Sequence, residues 1–435
     1  MATIRPFRAF RYDTRRAAAV DVITQPYDKI TPAMQERYYA ANPYNLVRVV
    51  LGHREAADNA AANVYTRAAG FFRDWRAAGI LHQDEKPSIY VYSQRFTAPG
   101  TNVEHERRGF IALGRIEDYS AGIVHRHEQT LAKPKADRLD LLRATRAHFE
   151  QIFMLYEDSG SIDSTLQSAS PAQTAIELVD EYGVLNRVWQ VSDPEALRSV
   201  SQAMRDKKLV IADGHHRYET ALTYRDEQRV SAPSKNEIPT DFMVMTLVNM
   251  NSPGLVVLPT HRVVHSLPDF NVETFRRAAE KYFNVEEVDP SIDAARAGAI
   301  LRQAGRIEPA LVAVAGSRAF LVHKLKPAAG PLLLNLSLRQ QFLDVSQLHK
   351  VILENVLGLS EESIRDQQNI SYIRDAAEAM GMARSPDHPA NITFLMNPCR
   401  VAQVRDMAYA GEVMPQKSTD FYPKLLSGLT IYALD

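Results

Sequence analysis

The stretch LVIADGHHRYETALT, residues 209–223, changes its period in the middle. Leu209 to Ala212 form an unbroken apolar run, the mark of a buried strand, and Asp213-Gly214 punctuates it. Beyond the glycine, Tyr218, Ala221 and Leu222 recur at helical spacing and supply an inner face. A strand passing through one glycine into a helix predicts an α/β unit with a helix start at the strand's end. Such a start presents N–H groups and the positive end of the helix dipole, worth about 0.3–1 kcal/mol to a nearby anion. His215, His216 and Arg217 add donors at that end, and Arg grips a phosphate or carboxylate bidentately. Asp213 is placed to cap the helix or to hold a divalent cation bound to phosphate oxygens. Glu219 follows one turn later, able to face the same cleft and take a proton.

Working outward, the same alternation of signals continues. Residues 187–191 and 242–249 read as strands, and Asp193-Pro194 opens a helix to about residue 205. Upstream, Thr31-Pro32 opens a helix, and residues 55–78 carry a long helical pattern. Residues 88–97 and 108–118 read as an antiparallel pair, 139–149 as helix and 151–156 as strand. The Ser-rich residues 159–170 read as a loop or domain edge. Downstream, 310–314 and 319–324 read as a hairpin, 346–357 as helix, 391–396 as strand, 401–409 as helix and 429–434 as a last strand. The expected fold class is mixed α/β, with strands in mixed or antiparallel sheets and helices flanking them. Three regions are expected, 1–160, 161–240 and 241–435, packed as one compact unit.

Composition narrows the function. The chain has 435 residues, 51 Lys and Arg against 52 Asp and Glu, and one cysteine. A balanced charge argues against an extended nucleic-acid surface. One cysteine, Cys399, permits neither an intrachain disulfide nor a Cys-rich zinc site, and points to a reducing, cytoplasmic setting. No apolar run approaches the roughly 20 residues of a membrane-spanning helix.

Three further segments concentrate polar chemistry. Residues 124–138 hold His125, His127, Glu128, Lys133, Lys135 and Arg138, cations able to converge on a polyphosphate beside a carboxylate that binds metal or accepts a proton. Thr260, His261 and Arg262 end an apolar run and are candidate phosphate contacts. Lys417 and Ser418 invite comparison with a phosphate loop, but Gln416 replaces its second glycine and Pro415 removes an N–H the cradle would use. Lys417 and Lys424 remain able to reach an anion from another architecture, and in QPYDKI Tyr27 is placed to stack on a ring beside Asp28. A zinc hydrolase finds only His216 with Glu219 and His261 with His265 as spaced pairs, and HExxH is absent.

ADGHHR at a strand end resembles the DGHHR element of the free-serine kinases in the ParB and sulfiredoxin superfamily, over about residues 188–228. That resemblance implies a ParB/sulfiredoxin-like core there, Asp213 serving metal or acceptor, and Gly214, His215, His216 and Arg217 serving nucleotide phosphates. IRPF, QPYDKI, RHEQT, KPKADRLDLLRAT, ADGHHRYETAL, LPTHRVV and MPQKSTDFYPKLLSGL, in this order from Ile4 to Leu429, resemble the bacterial and archaeal family known as domain of unknown function 1015. The combined expectation is a Mg2+-dependent kinase using ATP or ADP on a small hydroxyl-bearing metabolite such as serine. Its catalytic residues would be Asp213, Glu219, Glu128 and His216, with Asp213 on the metal. A nucleotide-sensing protein without fast turnover and a metal-dependent hydrolase are the alternatives. The expected partner is a small-molecule or nucleotide ligand, with no membrane, and oligomeric state is left open.

Overall fold

Successive side chains of a strand leave a sheet on opposite faces, so a strand apolar at every position is buried on both. Residues Phe242–Asn249 are buried throughout. Phe242 and Val244 enter one core while Met243, Met245 and Leu247 enter another. In Ile89–Thr97, Tyr90 and Tyr92 are likewise split from Ile89 and Val91, and in Glu104–Arg115, Ile111 and Leu113 from Phe110 and Ala112. These strands occupy the middle of one sheet covered on both faces.

A computed structural model describes residues 1–130, 132–231 and 236–435, the side chains of 132–134 excepted. The chain is mixed α/β and divides into two compact units. The first comprises Met1–Arg126, Thr130–Val256 and Pro423–Asp435; the second, His127–Gln129 and Val257–Tyr422.

In the first unit the sheet runs Val124–His125, Leu209–Asp213, Ile152–Tyr156, Phe242–Asn249, Glu104–Arg115, Ile89–Thr97, Leu185–Val191, Ile176–Val179, with Ile4–Arg5 also on Glu104–Arg115. Leu209–Asp213 is parallel to Val124–His125, and Ile152–Tyr156 to Phe242–Asn249; the other pairs are antiparallel. Helix Val64–Ala77 covers one face with Ala68, Phe72 and Trp75. Ser161–Ala169, Pro194–Met204 and His215–Ser231 cover the other through Leu166, Val200 and Tyr218. Asp193 caps the second of these, accepting the Ala196 N–H at 2.8 Å.

The second unit has an antiparallel sheet ordered Phe283–Val288, Arg318–Leu325, Ala310–Ala315, Ala390–Met396, His261–His265, Ile370–Ile373. Val312, Val314, Val263 and Leu395 meet Leu301 and Met380 of the helices Ala294–Ala304 and Ala376–Arg384 in its core. Among the described residues no helix is long and apolar enough to cross a membrane.

Several expected elements change. The Ser-rich stretch is helix over Ser161–Ala169, because Ile162 and Leu166 bury on one face. Asp158 accepts the N–H groups of Gly160 and Ile162 at 2.8 and 3.2 Å, and the Thr165 and Ser168 hydroxyls donate to carbonyls four residues back at 3.0 and 2.9 Å. The helix expected from residue 55 begins at Val64, where Asn63 and Thr66 form a reciprocal cap. The helix expected over 139–149 spans Ala132–Thr145 and is followed by the short strand Ala147–His148. The helix expected over 346–357 is α-helical for Asp344–Gln347 and then π-helical for Leu348–Val356. The last strand shrinks to Tyr432–Ala433.

Candidate functional site

The strand Leu209–Asp213 ends irregularly: its register against Ile152–Tyr156 shifts between Ile211 and Asp213. A shift of this kind re-aims the side chain that follows it. Gly214 turns the chain at φ +98°, and its carbonyl accepts the Tyr218 N–H at 2.9 Å to start the helix His215–Ser231. Arg217, one turn in, donates from Nη2 to Asp213 Oδ2 at 2.9 Å and from Nη1 to the Gln151 carbonyl at 2.7 Å. Lys424 Nζ donates to Asp213 Oδ1 at 2.9 Å.

Each oxygen of one carboxylate therefore faces its own cation. Burial works to raise the Asp213 pKa, but the charges of Lys424 and Arg217, the Lys424 hydrogen bond and the charge of Lys29 outweigh it. The group is held ionised below the ordinary carboxylate range. Burial opposes the charge of Arg217, which Glu150, Asp213 and Asp28 restore, raising its pKa overall. Arg107 is fully buried and brought down to about 10 by burial, against the charges of Tyr92 and Asp213. It donates to the Pro423 carbonyl at 2.6 Å, while Gln94 Nε2 donates to the Lys424 carbonyl at 2.9 Å. These two bonds fix the backbone from which Lys424 reaches Asp213.

The arrangement depends on Gly214. A Cβ there would lie 3.2 Å from Arg217 Nη2 and 3.0 Å from Ile152 Cδ1, at a φ that disfavours side chains. Gly214→Ala is expected to cost roughly 1–3 kcal/mol, read from the denaturant midpoint, and to displace Arg217 from Asp213.

Other expected residues of the first unit stand around this cluster in different roles. His215 is buried and His216 half-buried in the first helical turn. Glu219 accepts from Thr130 Oγ1 at 2.6 Å, Lys135 Nζ at 2.9 Å and Arg126 Nη1 at 3.2 Å. Burial opposes its charge, yet these donors hold its pKa below the ordinary value, which makes it a weak proton acceptor. Lys135 is thereby neutralised by Glu219. Arg138 donates to the Val50 carbonyl at 2.8 Å and to Asp137 at 2.6 Å, and its guanidinium lies 4.0 Å from the centre of the Tyr27 ring. Tyr27 therefore stacks on an arginine of its own chain. Lys135 and Arg138 lie on the helix Ala132–Thr145 rather than on a loop. The Lys133 side chain lies outside the described residues.

The remaining expected residues belong to the second unit. His127 is fully buried, its Nε2 2.9 Å from Thr419 Oγ1, and Glu128 Oε1 accepts the Lys417 N–H at 3.1 Å. The structure thus brings together Glu128 and Lys417, which are 289 positions apart. Arg262 is buried, donating to the Thr260 carbonyl and, at 3.0 Å, to the Lys417 carbonyl. His261 accepts the Met396 N–H on Nδ1 at 3.1 Å, and burial, then Arg262, brings its pKa down to about 4. A neutral, backbone-bonded imidazole is a poor phosphate contact, so here the expected role gives way to a structural one. Ser418 donates to the Pro415 carbonyl within the turn.

Residues 4–346 match the family described as Protein of unknown function (DUF1015). The chain belongs to that family. No curated protein matches this DUF1015 chain. Among solved structures, a free serine kinase variant in complex with AMP aligns at 14% identity over 71% of this chain and 89% of its own, with a TM-score of 0.35. A conserved hypothetical protein from Pyrococcus furiosus aligns at 12% identity over 72% and 92%, with a TM-score of 0.36. SbnI from Staphylococcus aureus aligns at 10% identity over 73% and 87%, with a TM-score of 0.35. At this level of superposition the likenesses carry neither fold nor activity over to the DUF1015 chain.

Sequence reading passes over four residues of the cluster: Lys29, Arg107, Glu150 and Gln151. Lys29 sits inside the quoted QPYDKI, whereas the other three flank apolar strands and read there as ordinary polar edges. Among the described residues no group of three or more His, Cys, Asp and Glu side chains is arranged to hold a metal. A protein cage for zinc is therefore not formed by them. Mg2+ asks for less, one or two carboxylates with substrate phosphates completing its shell, and ionised Asp213 fits that demand. The cavity shared by Arg138, Glu150, Arg217 and Thr220 is about 50 Å3, room for solvent but not for a nucleoside.

Proposed function

We propose that this chain binds a nucleotide or another phosphorylated small molecule at the Asp213–Arg217 junction and transfers a phosphoryl group, with Mg2+, to a small hydroxyl-bearing metabolite such as serine. The observation that carries the reading is Asp213 held between Arg217 and Lys424, each at 2.9 Å, within the field of Lys29. Around this helix start Arg217, Lys424, Lys29 and Arg107 stand against Asp213, Glu150 and Asp28, a small cationic excess that attracts a phosphate. Phosphoryl transfer demands positioning and charge neutralisation more than covalent protein chemistry. Mg2+, when bound, neutralises charge on the transferring group; Asp213 is its protein ligand. Arg217, Lys424 and the first-turn residue His215 hold the phosphate oxygens. The depressed pKa of Glu219 favours His216 for the acceptor's proton. The resemblance of ADGHHR to the DGHHR element of the free-serine kinases supports the same assignment. The lone cysteine supports a reducing, cytoplasmic setting.

The test is incubation of pure protein with ATP, ADP or CTP, Mg2+ and a pool of amino acids, followed by phosphorus NMR and mass spectrometry. A phosphorylated amino acid is expected with the native chain and a loss of at least 100-fold with Asp213→Asn of unchanged circular dichroism. Tight nucleotide binding without product overturns the transferase and leaves a nucleotide sensor. No thermal protection by nucleotide or phosphate overturns both.

A further inference from the structure

A cavity of about 660 Å3 lies wholly within the second unit, at the C-terminal end of the strand Ala390–Met396. That is a volume suited to a metabolite-sized ligand. Exposed apolar side chains gather at it: Ile307, Leu338 and Phe342 line it and are 90%, 73% and 65% exposed. Exposed residues of this size and number around one concavity mark an interaction site more often than chance scatter.

The polar lining is biased to one sign. Arg262, Arg302, Arg306, Arg339 and Arg400 contribute to the wall against Glu308, Asp344 and Asp406. The acids are partly committed elsewhere. Glu308 lies 3.8 Å from His323, and Asp406 accepts from Arg405 at 2.8 Å. Burial, over the opposing bonds from Asn397 and its own backbone, brings the Asp344 carboxyl up to about 6, which thins its charge near neutrality. Arg302 and Arg306 are exposed, and neither guanidinium enters an ion pair among the described residues. Arg262 is 1% exposed, and its Nε has no hydrogen-bond partner. A buried guanidinium left short of an acceptor is costly unless the site supplies one.

We infer that this cavity is a second ligand site, taking a small molecule that joins an apolar or aromatic body to an anionic head group. The body lies on Leu338, Phe342 and Ile307, and the head group meets Arg302 and Arg306. The site is independent of the Asp213 cluster, which belongs to the first unit, and stands or falls without it. It also gives a purpose to the segment around Thr260, Arg262 and Ser418, all of which line the cavity.

Anilinonaphthalene sulfonate, an aromatic anion whose fluorescence rises on leaving water, is the probe. Saturable one-to-one binding is expected, at least tenfold weaker in Arg302→Glu/Arg306→Glu and in Leu338→Asp. These positions are exposed, so the substitutions spare the core. Neutral phenylnaphthylamine should lose little in the double charge reversal. Octanoate and octyl phosphate are expected to displace the probe and octanol to fail. Whichever of the two anions competes more strongly assigns the head group as carboxylate or phosphate. Non-saturating fluorescence, equal binding to the double variant, or displacement by octanol as strong as by octanoate overturns the site.

Discussion

Asp213→Ala is expected to destabilise the first unit by about 3 kcal/mol, because removing one member of a buried ionic group leaves its partners uncompensated. Arg217 and Lys424 are only 13% and 11% exposed and would each lose the carboxylate oxygen they now hold. The loss is read in urea from tryptophan fluorescence, since both tryptophans, Trp75 and Trp189, belong to this unit. Combining Asp213→Ala with Lys424→Met should cost less than the two changes added separately, since the second removes a charge the first has stranded. Phosphate supplies the sharper criterion. With the competing carboxylate gone, millimolar inorganic phosphate should raise the melting temperature of Asp213→Ala by several degrees more than that of the native chain. Equal shifts would mean that these cations serve Asp213 alone and hold no external anion.

The second unit is expected to be acid-labile. His261 and His349 are buried with pKa values brought down to about 4 and about 3, in each case chiefly by burial and then by Arg262. Their unfolded value is about 6.5. A folded pKa below the unfolded one means that the neutral form is favoured in the native state. The associated stability is complete above pH ~6.5 and is lost as pH falls toward 4 and then 3. At about 1.4 kcal/mol per pH unit for each group, several kcal/mol disappear by pH ~4. Geometry gives the same sign, because protonating His261 Nδ1 would set a proton against the Met396 N–H it now accepts. Hydrogen exchange of Ala390–Met396 should accelerate steeply between pH ~6 and ~4, after correction for intrinsic rates. His349 Nε2 has no hydrogen-bond partner, so His349→Leu should flatten that dependence at little cost near pH ~8. An unchanged slope in this variant would remove His349 from the account.

What sequence reading captures here is what local patterning dictates. The strand Phe242–Asn249 is legible because all eight positions are buried and none is charged. The helix Val401–Tyr409 and the cap at Asp193 are legible because period and capping chemistry agree. Serine misleads in Ser161–Ala169, since a hydroxyl that closes a turn equally well satisfies a helical carbonyl four residues back. Around the site, Asp213, Gly214 and Arg217 are visible as a strand-to-helix junction. Nothing local reveals that Lys424 is the second cation on Asp213, or that Glu219 is occupied by Thr130, Lys135 and Arg126. Such pairings depend on tertiary closure, about which spacing is silent.

The segment Pro423–Asp435 returns to the first unit after the second has been traversed, and it brings Lys424 to Asp213 across 211 positions. During synthesis, Asp213 and Arg217 therefore leave the ribosome long before the cation that completes their charge balance. The junction's charge balance matures late: a nascent chain that has not yet released residue 424 carries the ADGHHR loop in an incomplete electrostatic setting. On the proposed function, ligand capture at this junction waits until translation has passed that point.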